Sequence, residues 1–249
     1  MADPMAAPDS HAGPSGYSYA GVILRLGARS RDDVLDALHD LRFTGWVGPH
    51  EGEWLIMACS PGTVASGRRG VVQIGTWLAD RFQASAVAVQ VIDDRQLLLV
   101  FWDEGREAGR YISDPSYGLD EDDDTLPDPL GAERAADFAA ACGVPEVAED
   151  LAELLGEDLD PDSMIESERL ASVLRILQMP TWLISSPSLP KDIPAGPRAR
   201  DLIRLRAGVT GTRGRLRGLT AALVRKRRPP PPAITDAPRG GGDIEPWML

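Results

Sequence analysis

Apolar positions along this chain repeat with two periods, and the switches between them mark its elements. Tyr19 to Leu26 is a mostly apolar run of strand length. Ser30 then stands where a helix N-cap belongs, with Asp32 and Asp33 in the first turn, where the helix dipole favours acids. Val34, Leu35, Leu38 and Leu41 follow at helical spacing and predict a short amphipathic helix. Gly45 to Gly48 and Trp54 to Cys59 read as strands joined by a turn at Pro49-His50-Glu51-Gly52. Beyond a Pro/Gly-rich loop, Val71, Ile74, Trp77, Leu78 and Phe82 form the core-facing stripe of a second helix. Ala86 to Ile92 and Leu97 to Trp102 predict a hairpin about Asp93-Asp94-Arg95, and Glu107 to Ser113 adds a strand through Glu104-Gly105.

The resulting order, β-α-β-β-α-β-β-β, predicts an α+β fold: a largely antiparallel sheet carrying both helices on one face. After Asp114 the character changes. An acidic, Pro-punctuated loop spans 119–131, and helical patterns follow at Ala132 to Cys142, Pro145 to Leu155 and Ser163 to Leu177. Thr181 to Ser185 reads as a last short strand. Ser186 to Pro197 holds four prolines and reads as a linker. Basic helices are then expected near Arg198 to Ala207 and Arg213 to Arg228, before a tetraproline at 229–232 and a Gly-rich end closing on Trp247-Met248-Leu249. Three parts follow from this: a disordered 1–17, a globular body over 18–187 with an acidic helical section at 118–187, and a basic Pro/Gly-rich tail at 188–249.

Charge divides along the same line. Residues 1–187 hold 33 of the 38 Asp and Glu but only 13 of the 26 Lys and Arg, whereas 188–249 pair the other 13 cations with 5 acids. The net charge of −12 therefore hides an acidic body and a cationic arm, which bears on partners rather than on fold. No apolar run approaches the roughly 18 residues that cross a bilayer. Met1 to Gly16 lacks the basic and apolar regions of a secretory leader, so a cytoplasmic protein is expected. The Arg, Ala, Gly and Pro content points to a GC-rich bacterial source.

Candidate chemistry is sparse. Cys59 and Cys142 sit in apolar surroundings and read as small buried residues. Cys59 and His50 are the one thiol–imidazole pair close in sequence, and no nucleophile motif surrounds them. Two Cys and three scattered His give no zinc spacing. Acidic runs beginning at Asp120 and Asp158 open like calcium loops, but Thr125 and Ser163 replace the turn glycine, and Gly131 and Arg169 replace the closing glutamate. Glu166 and Glu168 supply carboxylates at the start of a helix. Arg68, Arg69 and Gly70, leading into the second helix, form a candidate anion site. Arg213, Arg215, Arg217, Arg225, Lys226, Arg227 and Arg228 flank an apolar stripe of Leu216, Leu219, Ala222 and Leu223. With Trp247 and Leu249 they form a candidate partner-binding arm.

The sequence thus predicts a non-enzymatic bacterial interaction protein of adaptor, chaperone or immunity/regulatory type, needing no cofactor or metal. Its expected partner is a protein, with the tail taking either its own acidic body or an anionic surface. An enzyme of unassigned reaction is one alternative. Membrane-surface or nucleic-acid binding through the tail is the other.

Overall fold

A computed structural model describes residues 17–60, 70–117, 128–157, 165–194 and 196–211. Its elements run β1 (Tyr19–Arg25), α1 (Arg31–Asp40), β2 (Gly45–Glu51), β3 (Trp54–Cys59), α2 (Val71–Phe82), β4 (Ala86–Ile92), β5 (Gln96–Asp103) and β6 (Arg106–Ile112). They continue with α3 (Ala135–Ala141), α4 (Ala148–Leu155), α5 (Glu166–Ile176) and β7 (Ile203–Leu205). The strands form one seven-stranded sheet of order β6-β5-β4-β1-β3-β2-β7, antiparallel at every pairing. This is the α+β architecture that the periodicity predicts.

Both faces of the sheet are covered. On one, Val22, Leu24, Leu55, Met57, Ala88, Val100 and Trp102 meet Val34 and Leu38 of α1 and Ile74 and Leu78 of α2. On the other, Ile23, Ile56, Val89, Leu99, Phe101 and Tyr111 meet Phe138, Leu151, Leu155, Leu170 and Leu174 from α3, α4 and α5. Central strands buried on both sides must be apolar at nearly every position, and β3 and β4 are buried along almost their whole length. Local chemistry fixes the ends of the elements. Ser30 caps α1 in a full capping box with Asp33, an arrangement worth about 1 kcal/mol.

The β4–β5 turn is tight and places Asp93 and Asp94 at φ of 51° and 53° without a glycine. Their side chains offset that cost. The Ser18 and Tyr117 hydroxyls donate to Asp93 at 2.7 and 2.8 Å, and the Tyr17 amide donates to Asp94 at 3.1 Å. Those two hydroxyl bonds hold the Asp93 carboxyl below its ordinary range.

Several sequence expectations need correction. Thr181 to Ser185 is not a strand; Trp182–Ser188 winds as 3-10 helix instead, seating the Trp182 ring against Gly48, where a Cβ would lie 2.3 Å from it. Arg198 to Ala207 is not a helix but a 3-10 turn at Ala199–Asp201 followed by β7. The apolar residues there alternate: half-buried Ile203 and buried Leu205 and Ala207 are separated by Arg204 and Arg206, a period-two pattern that an Arg-rich segment disguises. Ile193 is also buried, so the described residues from 193 to 207 pack into the body through Ile193, Leu202, Leu205 and Ala207 rather than leaving it as a linker. His50 lies not in a turn but near the end of β2, and the chain reverses at Gly52-Glu53. A register shift between Val47 and His50 accommodates Pro49, which β7 does not reach.

Candidate functional site

The helical layer over β5 and β6 obtains its polarity from how it is buried. Phe138 of α3 stacks on Phe101 of β5 with ring centroids 4.2 Å apart, and Gly109 of β6 leaves the room, since a Cβ there would lie 2.8 Å from the Phe138 ring. Leu151 and Leu155, at i and i+4, turn the apolar edge of α4 inward. What remains on the outside is acidic. Glu133, Asp137, Glu146, Glu149, Asp150, Glu153 and Glu157 are all exposed, and Arg134 is the single cation between residues 132 and 157. Arg134 is committed to Asp137 at 2.6 Å and to the Ala108 carbonyl at 2.5 Å. Glu149 and Asp150 suit the N-terminus of α4. Glu149 and Glu153 are neighbours one turn apart, a like-charge contact that costs about 0.2–0.5 kcal/mol.

A cleft of about 490 Å³ opens beside this layer. Its walls are the end of β1, the β2–β3 turn, the loop after α3 and the segment following α5, contributing Arg25, Glu51, Glu53, Trp54, Gly143 and Gln178 among others. Arg25 donates from Nε to Glu53 at 2.7 Å and also pairs with it through Nη2. Its guanidinium lies 5.9 Å from the Trp54 ring centre. Gly143 permits this placement, because a Cβ there would come within 2.7 Å of Arg25. Glu51 differs: its Oε1 is enclosed without a well-formed hydrogen bond. Burial pushes its carboxyl up, and the adjacent Trp182 indole N–H only partly offsets this. Cys142 also lines the cleft, but burial lifts its thiol to about 12, so it acts there as apolar surface.

The helical layer is tied to the sheet by a second polar group, which lies inside. Glu166 and Arg169, at the start of α5, have no exposed side-chain surface and approach to 3.6 Å. Arg169 donates to the Tyr111 hydroxyl at 3.2 Å and to the carbonyls of Leu154 and Glu157 at 2.9 and 3.1 Å, closing the C-terminal end of α4. Neither Glu166 oxygen has a well-formed hydrogen bond, although the Ser113 hydroxyl stands close enough to favour the anion. Burial outweighs the Arg169 charge and raises the Glu166 carboxyl to about 7. Burial likewise raises the Tyr19 and Tyr111 hydroxyls. Next along α5, Ser167 joins the Tyr19 hydroxyl at 2.9 Å to the Asp94 carboxylate. A substrate could reach Glu166 only if the layer opened.

Among the sequence-predicted residues, Gly70 is buried at the N-cap of α2, while Arg68 and Arg69 lie outside the described residues. Arg213, Arg215, Arg217, Arg225, Lys226, Arg227, Arg228, Trp247 and Leu249 also lie outside them. Cys59 and His50 are not brought together. Cys59 pairs with Gly45 and His50 with Leu55, which separates them by about five residues along β2, roughly 17 Å. Burial holds the Cys59 thiol near 12. Among the described residues, no group of three or more His, Cys, Asp or Glu could hold a metal, and no helix is long and apolar enough to cross a membrane.

Sequence reasoning missed Glu51 and the burial of Glu166 and Arg169. The signal for the second pair is present in α5. Glu166, Arg169, Leu170, Val173 and Leu174 share one helical stripe, so both charges stand on the core-facing side. No family model matches the chain, and comparison with curated proteins and with solved structures likewise returns no match.

Proposed function

We propose that this chain is a non-enzymatic interaction protein, of adaptor, chaperone or immunity/regulatory type, that engages a cationic protein through the acidic outer face of α4 and the turn leading into it. The observation that carries the reading is the exposed row Glu146, Glu149, Asp150, Glu153 and Glu157, for which no cation between residues 132 and 157 is left after Arg134 takes Asp137. Folding alone does not ask for such a row, since neighbouring like charges weaken a helix. A surface of one sign steers an oppositely charged partner and raises its rate of encounter. The Arg-rich segment 213–228 is the second part of the reading: it supplies the opposite charge, either for this acidic body or for an anionic surface elsewhere.

Two features weigh against an enzymatic reading. Both thiols are held near 12, and the Glu166 carboxyl has no exposed surface. Zero-length carbodiimide coupling of the full-length protein to a nona-lysine peptide, followed by peptide mass mapping, tests the proposal. Coupling concentrated at Glu146, Glu149, Asp150 and Glu153 supports it. Coupling spread equally over Asp32, Asp36, Glu104 and Asp128, which are just as exposed, overturns it.

A further inference from the structure

The cleft beside the acidic layer contains, within its own walls, an example of the chemistry it is suited to receive. Arg25 extends along one side with its guanidinium over Trp54 and its charge matched by Glu53. That pair is closed. Glu51, the last residue of β2, forms no ion pair among the described residues, and its Oε1 is enclosed and lacks a well-formed hydrogen bond. Oε1 lies beneath the surface on the Trp182 side, so the cleft meets the carboxylate as a half-buried anion, and an incoming cation with N–H donors supplies the charge that this anion lacks. The space available, about 490 Å³, lies in the range of small-molecule sites and exceeds what one side chain needs. The Trp182 indole beside Glu51 is neutral; among the other residues that line the cleft, Gln178 is an amide, the raised Cys142 thiol stays protonated at neutral pH, and the one cation, Arg25, is paired with Glu53.

We infer that this cleft is a socket for one basic side chain of the partner, a guanidinium or an ammonium, with Glu51 as its counter-ion and Gln178 and the loop at Gly143 as its rim. The inference rests on the acidic-face reading, for which it names the point of insertion. Cys142, Gly143 and Val144 form one wall of the cleft, and exposed Glu146 follows directly on that loop. A cationic segment lying along α4 therefore passes the mouth of the socket, and one of its side chains can turn in.

The test is titration of full-length protein with N-acetyl-arginine amide, followed by amide chemical shifts. Shifts confined to Gly52, Gly143, Gln178 and their neighbours are expected. Binding should be about tenfold weaker in Glu51→Gln, the loss that removal of one charge-assisted contact brings. In the variant carrying Glu146→Gln, Glu149→Gln, Asp150→Asn and Glu153→Gln, binding of this single-residue probe should be nearly unchanged, because the socket lies beside that face and not on it. Equal affinity for wild type and Glu51→Gln overturns the socket, as do shifts scattered over the surface, and either result leaves the acidic face standing. If the socket binds the probe while the four-site variant still binds a polycation normally, the face reading fails and the socket survives as a separate site.

Discussion

Replacing Glu166 by glutamine keeps the volume and most of the polarity of the side chain but removes its proton equilibrium. In the folded protein this carboxyl titrates near 7, against an unperturbed value of 4.5, because burial disfavours the anion more than Arg169 at 3.6 Å favours it. Arg169 is a weak counter-ion here, since it also serves Tyr111, Leu154 and Glu157. Between pH 4.5 and 7 the unfolded chain has lost this proton and the folded chain has kept it. The unfolded state then binds fewer protons, so stability falls as pH rises. A difference of about 2.5 pH units corresponds to about 3 kcal/mol, and the absence of any exposed side-chain surface means that solvent screening does not reduce it. Wild type and Glu166→Gln should accordingly be alike near pH 4.5, and the variant should become the more stable of the two by up to about 3 kcal/mol at pH 8. Urea unfolding of both proteins across this range measures the difference, and other titrating groups cancel from it. Parallel curves would refute the reasoning. So would a variant that loses ground as pH rises, which is the behaviour of an ionised pair whose attraction outweighs burial.

Three further outcomes follow from the packing. Phe138→Ala removes the ring stacked on Phe101 and should cost about 3–5 kcal/mol in urea unfolding, with the helical layer loosened first in hydrogen exchange. Leu205→Ala should cost about 2–4 kcal/mol, because β7 is part of the sheet; a change below about 0.5 kcal/mol would return residues beyond 188 to the status of a detachable tail. Cys59 and Cys142, with thiols held near 12, should resist Ellman's reagent at pH 8 and react only on unfolding.

The legible parts of the sequence were those with a local cause. Apolar runs in β3 and β4 announced strands, the stripe from Val71 to Phe82 announced α2, and Ser30 announced the start of α1; that a second helical layer covers the other face of the sheet was not read. β7 escaped because its alternation is three residues long and interrupted by arginine. The cleft escaped for a different reason. Arg25, Glu51, Gly143 and Gln178 meet only because β1, β2, the loop after α3 and the end of α5 reach the same end of the sheet, and no spacing along the chain encodes that. Glu166 shows a third case: its place on the apolar stripe of α5 was readable, but its titration depends on Ser113, Asp114 and Asp94, more than fifty residues away.

The acidic face is tested most directly by titrating a nona-arginine peptide against three full-length proteins. These are wild type, the variant neutralised at Glu146, Glu149, Asp150 and Glu153, and a control neutralised at the exposed Asp32, Asp36, Glu104 and Asp128. At about 0.05 M salt the face variant should bind about tenfold or more weakly than wild type while the control stays close to it, and raising salt to about 0.5 M should erase the difference. Equal losses in the two variants would mean that the peptide senses only net charge, and the claim that α4 and the turn leading into it form the docking face would be wrong.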